Sequence, residues 1–261
     1  MYGWRGRFAH LSPSRGDILV HEFYRIAPRG VMLINSTGTV RHLRDDDLSA
    51  RLASVEDAAR DVASEGVELI VVGGSPLVTM QGYGSERQLS ARLSQAAGVT
   101  CITGMELELE ALRAVGCERP VIATPYPPSL DERLVGYLRA AGFDVQGCVG
   151  LGLVNNSEIG ALPEHACLHA ARRAASAAPD ADGVFLPCAR WPTLDALPLL
   201  EQELGLPVVS STVSVFYGAL QRLGVRNGLQ GFGSLLASLT PRPVSLSGAA
   251  RLDGVPQVQR R

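Results

Sequence analysis

Short apolar runs alternate with amphipathic helical stretches along most of this chain, and that alternation is the tightest constraint on its fold. The apolar runs fall at 31–35, 69–72, 100–103, 121–124, 143–149, 183–187 and 207–210. Helical patterns lie near 46–64, 85–97, 105–115, 130–141, 164–178, 194–203 and 213–223. A strand apolar on both faces is covered on both faces, and parallel neighbours need a crossover, usually a helix. The pattern therefore specifies βαβ units, hence an α/β fold on parallel sheet. Two helix starts are signalled: Ser129 and Glu132 have capping-box spacing, and Thr193 stands as an N-cap before Leu194-Asp195.

The pattern also repeats. GVTCITGMELELEALRAVG (98–116) is echoed by GLPVVSSTVSVFYGALQRLG (205–224). Each reads Gly, short strand, small polar turn, helix, then Ala-Leu-x-x-hydrophobic-Gly. Two similar α/β lobes are the economical reading. The first would hold residues 6–115 plus a returning helix at 213–238, and the second 116–212. The stretch 239–261 is rich in Pro, Gly and Ser and is expected to be a loosely ordered tail.

Composition narrows the partners. Lys and Arg number 24 against 26 Asp and Glu, a net charge of −2 with no long basic run. Nucleic acid and anionic membrane are therefore not expected as partners. No window approaches ~18 uninterrupted apolar residues, and the first residues lack the apolar core of a leader peptide. The five cysteines are scattered without CxxC spacing, which speaks against a metal site and a disulfide framework. A reducing cytoplasm is the expected location. Homo-oligomerisation stays open.

In parallel α/β sheets, ligands bind beyond the carboxyl ends of strands. Two such ends share an outline and differ in chemistry. GVELIVVGGSPL (66–77) ends its strand in Gly73-Gly74-Ser75, whereas GVFLPCARWP (183–192) ends in Pro187-Cys188-Ala189-Arg190. In a two-lobed protein these ends would face each other across a cleft. Cys188 just ahead of a helix N-terminus would have a lowered pKa, with Arg190 adding to the effect. The alternatives are a catalytic acid–base and a small buried hydrophobe. Cys101, Cys117, Cys148 and Cys167 read as structural. Tyr126, in the turn TPYPP, sits near the same edge and offers a hydroxyl, or simply packs there. LSPSRGD (11–17) offers Ser12, Ser14 and the Gly16 backbone as an anion nest. Asn155 and Asn156 precede a helix as polar candidates or ordinary caps. No histidine has a convincing partner, and the His165/His169 pair reads as surface. The chain has no GxGxxG, P-loop or GxSxG motif.

These pieces resemble a known group. GGSPL (73–77), RPVIATPY (119–126), DERLVGYLRAAGFDV (131–145), LGLVNNSEIG (151–160) and GVFLPCARWPTLDALPLLEQELGLPVVSS (183–211) are similar to the aspartate/glutamate racemase superfamily. The resemblance is to its arylmalonate decarboxylase and maleate cis–trans isomerase branch; EFYRIAPRGV (22–31) leans toward the isomerases. It implies two Rossmann-like lobes related by pseudo-twofold symmetry, four-stranded parallel sheets, an interlobe active site, and neither cofactor nor metal.

It also implies roles for residues. Racemases and isomerases of the superfamily use a cysteine from each lobe, whereas the decarboxylases keep only the second-lobe one, here Cys188. One thiol can protonate only one face of a carbon, which suits a carbanion made by losing carbon dioxide. A small carboxylate substrate would lie against Gly74, Ser75, Pro76, Tyr126, Ser14, Asn156, Ala189 and Arg190. Three positions depart from the decarboxylase pattern. Pro76 stands for a hydroxyl residue, Arg190 for a glycine, and Asn156 looks isomerase-like. The expectation is decarboxylation of a malonate-type diacid through an enediolate protonated by Cys188. The alternative is isomerisation or racemisation of a small dicarboxylate or amino acid.

Overall fold

The computed structural model describes residues 2–239; of the tail expected at 239–261 only Leu239, which is buried, falls within them. Two four-stranded parallel sheets form the frame. The first uses β1 (Gly6–Ser12), β2 (Val31–Thr37), β3 (Leu69–Val72) and β4 (Thr100–Thr103), in the order β2-β1-β3-β4. The second uses β5 (Pro120–Thr124), β6 (Gly147–Gly150), β7 (Gly183–Leu186) and β8 (Val208–Ser210), in the order β6-β5-β7-β8. The same order in both sheets is the structural form of the sequence echo. Every strand pair is parallel.

The longer helices are α1 (Asp17–Ile26), α2 (Asp45–Ala63), α4 (Ser85–Ala97), α5 (Gly104–Ala114), α6 (Pro128–Ala140), α8 (His165–Ala177), α9 (Ala196–Leu204) and α10 (Ser211–Arg222). Short helices α3 (Ser75–Thr79), α7 (Asn156–Gly160) and α11 (Ser234–Ala237) fill the loops. The central strands β3 and β7 are buried throughout, as their unbroken apolar sequence requires. Helix α5 follows β4 as α10 follows β8, and the two helices pack on each other. Thr103 and Ser210 cap them at equivalent positions, each accepting from the backbone three residues on.

Four local expectations fail, each for a physical reason. Ser129 and Glu132 form no capping box: α6 starts at Pro128 after Pro127, because proline's fixed φ sets the first turn. Thr193 is not an N-cap. Its hydroxyl bonds Ser210 Oγ at 3.0 Å, its N–H goes to Glu22, and α9 begins at Ala196. The strand expected over 143–149 shrinks to Gly147–Gly150, since Phe143 and Val145 pack into the core from a loop. Helix α1 lies outside the helical stretches expected from periodicity, although its Leu19, Phe23 and Ile26 share one buried face.

Candidate active site

The carboxyl ends of β3 and β7 open onto one cavity between the sheets. Gly73, Gly74, Ser75 and Pro76 line one wall, and Cys188, Ala189 and Arg190 the other. Ser14, Tyr126 and Asn156 complete the expected substrate set, all of which borders this space, whereas Asn155 does not. Leu19, Val40, Leu43, Leu48, Leu77 and Val215 supply an apolar flank. The His165/His169 pair lies exposed on α8, away from it.

Cys188 is held in an uncommon backbone conformation. Its φ is 91°, the only positive φ of a non-glycine among the described residues. Its N–H donates to Ser211 Oγ at 2.8 Å and its carbonyl accepts from Trp191 N–H at 3.0 Å. The expected helix dipole is missing, because α9 starts eight residues later. The expected lowering of the thiol pKa is reversed as well. Burial pushes it up, outweighing the N–H groups of Arg190 and Trp191, the Tyr126 hydroxyl and the Arg190 charge. The thiol therefore holds its proton at neutral pH.

Arg190 does not turn onto the thiol. Its Nη1 donates to Asp17 Oδ1 at 2.8 Å and its Nε to the Asn156 carbonyl at 2.7 Å. It ties the second-lobe turn to α1 and α7. Asn156 spends its amide nitrogen on the Val40 carbonyl at 3.0 Å, a link across the cleft mouth. Tyr126 is buried, and its phenol is raised first by burial, then by the charges of Cys188 and Glu108. Its hydroxyl therefore stays a donor. The N–H groups of Gly74 and Ala189 donate to no group among the described residues. Pro76 has no N–H to offer.

Sequence reasoning missed three residues: His10, Glu108 and Ser211. Glu108 on α5 is 2% exposed and borders the cavity. Ser75 Oγ donates to its Oε1 and Oε2 at 2.9 and 3.1 Å, and Ser211 Oγ donates to Oε1. Burial lifts its carboxyl to about 7 against those two hydroxyls. The signal was present: Glu108 falls in phase with Met105 and Leu112 on the buried face of α5.

His10 sits in the buried strand β1. Ser12 Oγ gives its proton to Asn35 Oδ1 at 2.7 Å, so the 2.9 Å contact between His10 Nδ1 and Ser12 Oγ must be Nδ1–H donating. Nε2 then carries a lone pair, and it is buried without a partner among the described residues. Burial pushes the ring down to about 4, so it is neutral. The ring also explains the bare first-lobe wall. A Cβ on Gly73 would lie 2.4 Å from His10 Nε2, and Gly74 has φ 99° with Pro13 Cγ 3.0 Å from its would-be Cβ.

Fold and cleft together define a two-lobed α/β protein whose site lies between matching strand ends. A family model described as "Arylmalonate decarboxylase" matches residues 13–236. The chain belongs to that family. It is 33% identical to the arylmalonate decarboxylase of Bordetella bronchiseptica over 175 residues, covering 67% of this chain and 73% of that protein. It is 29% identical to the maleate isomerase of Nocardia farcinica over 200 residues, 73% of this chain and 78% of that protein. Among solved structures, a liganded double mutant of arylmalonate decarboxylase superposes with a TM-score of 0.83 at 28% identity, covering 88% of this chain and 98% of that one.

Proposed function

We propose that this chain decarboxylates a malonate-type, disubstituted dicarboxylic acid through an enediolate that Cys188 protonates. The observation that carries the reading is the asymmetry of the cleft: a thiol on the second-lobe wall faces Gly73 and Gly74 on the first. One carboxylate sits among donors, the hydroxyls of Ser75 and Tyr126 and the N–H groups of Gly74 and Ala189. The other lies toward Leu43, Leu77 and Val215, where a charge is poorly solvated and its loss as carbon dioxide is favoured. The carbon–carbon bond electrons pass into the remaining carboxylate, giving an enediolate that the same donors stabilise. Removing one such donor costs about 3 kcal/mol of transition-state stabilisation. Cys188 then gives its proton to the carbon from its own side. A thiol kept protonated by burial suits that step. The chemistry requires no cofactor.

A second reading is isomerisation of a small dicarboxylate such as maleate, the reaction named for several relatives. His10 favours the racemase form of this alternative, because its unprotonated Nε2 places a base on the first-lobe side, whereas isomerising maleate breaks no C–H bond. Asn156 favours isomerisation less than its sequence position suggests, since its amide is engaged with Val40. One experiment separates the two: phenylmalonate, methylmalonate, maleate and aspartate, assayed for carbon dioxide release and for deuterium uptake from solvent, on wild type and Cys188→Ser. Carbon dioxide from a malonate, lost in the variant, supports decarboxylation. Isomerisation of maleate, or exchange without carbon dioxide, overturns it, as does a Cys188→Ser variant with wild-type turnover.

A further inference from the structure

We propose that Glu108 is a positioning residue that makes substrate binding proton-coupled: its carboxyl must be protonated before Ser75 can donate to a substrate carboxylate. This rests on the reading of the cavity as a carboxylate site. Cys188 N–H donates to Ser211 Oγ, and Ser211 in turn donates to Glu108 Oε1. The backbone of the thiol turn thereby commits the Ser211 proton to Oε1. Ser75 Oγ straddles the two oxygens, 2.9 Å from Oε1 and 3.1 Å from Oε2, and Oε2 is the one that Ser211 leaves open.

With Glu108 ionised, both hydroxyls point into the carboxylate. Ser75 then shows the cavity only lone pairs, and a buried negative charge stands behind it. A substrate carboxylate meets repulsion and one donor too few. With Glu108 neutral, Oε1 is already an acceptor, so the proton resides on Oε2 and is donated to Ser75 Oγ. The Ser75 proton is released to turn into the cavity toward the ligand. One protonation thus converts Ser75 from acceptor to donor and removes the opposing charge.

The surroundings leave Glu108 without a compensating cation. Tyr126 faces it from the turn after β5, and Tyr137, bonded to Glu86, influences it from α6. Glu106 on its own helix is bound to Thr103 and Ser90. Arg190 and Arg222 are paired with Asp17 and Glu110. The burial that lifts the carboxyl to about 7 places its titration within the working range of an enzyme. Neither His10, already neutral, nor Cys188, still protonated, changes charge near pH 7.

The test is calorimetric titration with phenylacetate, a carboxylate with no second carboxyl to lose, at pH 6 and 8 in buffers of differing ionisation enthalpy. The wild type is expected to bind roughly tenfold more weakly at pH 8 than at pH 6, with uptake of about one proton per ligand at pH 8. Glu108→Gln, whose amide can donate to Ser75 at any pH, is expected to bind equally at both and to take up none. A purely structural Glu108 would leave the proton count alone. Binding without proton uptake by wild type overturns the proposal and leaves the carboxylate site standing, as does uptake that persists in the Gln variant. No binding at either pH overturns both. If Glu108→Gln does not fold, the wild-type count decides, because no other cavity group changes charge between pH 6 and 8.

Discussion

Cys188 is expected to be a position where removing a Cβ stabilises the protein. Its φ of 91° sets it apart from every other described non-glycine residue. For an L-residue, backbone in the left-handed region costs about 1–2 kcal/mol, because Cβ crowds the following carbonyl oxygen. Two truncations separate that strain from the chemistry. Cys188→Ala and Cys188→Gly both remove the thiol, and both should lose turnover. Ala keeps the Cβ and its strain, whereas Gly relieves it. Against this, glycine loosens the unfolded chain by about 0.4–1 kcal/mol. The balance leaves the Gly variant more stable than the Ala variant by about 0.5–1 kcal/mol. For a protein of this size that is a Tm higher by about 1–4 °C. Differential scanning calorimetry of the pair reads it directly. An Ala variant melting at or above the Gly variant would refute the claim that the fold holds this residue under strain.

Tyr126→Phe removes a buried donor that faces the thiol, and kcat should fall about 100-fold with little change in Tm. Glu108, lifted from 4.5 to about 7, holds a proton that the unfolded chain gives up, so its contribution to stability is full below 4.5 and lost as pH rises through 7. Urea titrations at pH 5 and 8 should therefore show Glu108→Gln gaining about 2–3 kcal/mol on wild type across that interval. Glu22 accepts from Thr193 N–H and Leu194 N–H at 2.8 and 2.9 Å, so Glu22→Ala strands two buried donors and should cost about 2–4 kcal/mol in the same assay. Gly73→Ala should be severely destabilising alone yet tolerated with His10→Ala, a coupling of about 1–3 kcal/mol, since the introduced methyl collides with the ring at 2.4 Å.

The fold was legible because its periods are physical necessities. Unbroken apolar runs such as 69–72 and 183–187 have one use, the centre of a parallel sheet, and the echo of 98–116 in 205–224 reports a shared β–α unit. Residues at strand ends could be placed for the same reason: topology alone brings Gly74 and Cys188 to one cavity. What stayed hidden depends on three-dimensional pairing. Whether Cys188 precedes a helix depends on where α9 starts, and it starts at Ala196, beyond a turn whose Thr193 and Leu194 N–H groups are held by Glu22 from α1. Whether Arg190 faces the thiol depends on Asp17, 173 residues away in sequence. Glu108 broke the apolar phase of α5, but only its neighbours Ser75 and Ser211 give that break a meaning.

The two strand ends have diverged in the property that decides chemistry, the side of the cleft from which a proton can come. On the second lobe, Cys188 borders the cavity with a positive φ, and its N–H is bonded to Ser211. On the first, the His10 ring occupies the volume that a side chain at Gly73 would need, and Gly74 has backbone that favours glycine. A side chain at Gly73 would therefore collide with the ring, and at Gly74, where a Cβ would come within 3.0 Å of Pro13 Cγ, the sequence carries no thiol. The first-lobe carboxyl, Glu108, borders the cavity but is held by the hydroxyls of Ser75 and Ser211. Those bonds suit it to set the charge and donor state of the wall rather than to deliver a proton to carbon, the step proposed for Cys188. On the proposed reading, proton delivery and carboxylate capture are divided between the lobes, and the hydroxyl of Ser211, bonded to Cys188 N–H and to Glu108, links the two walls.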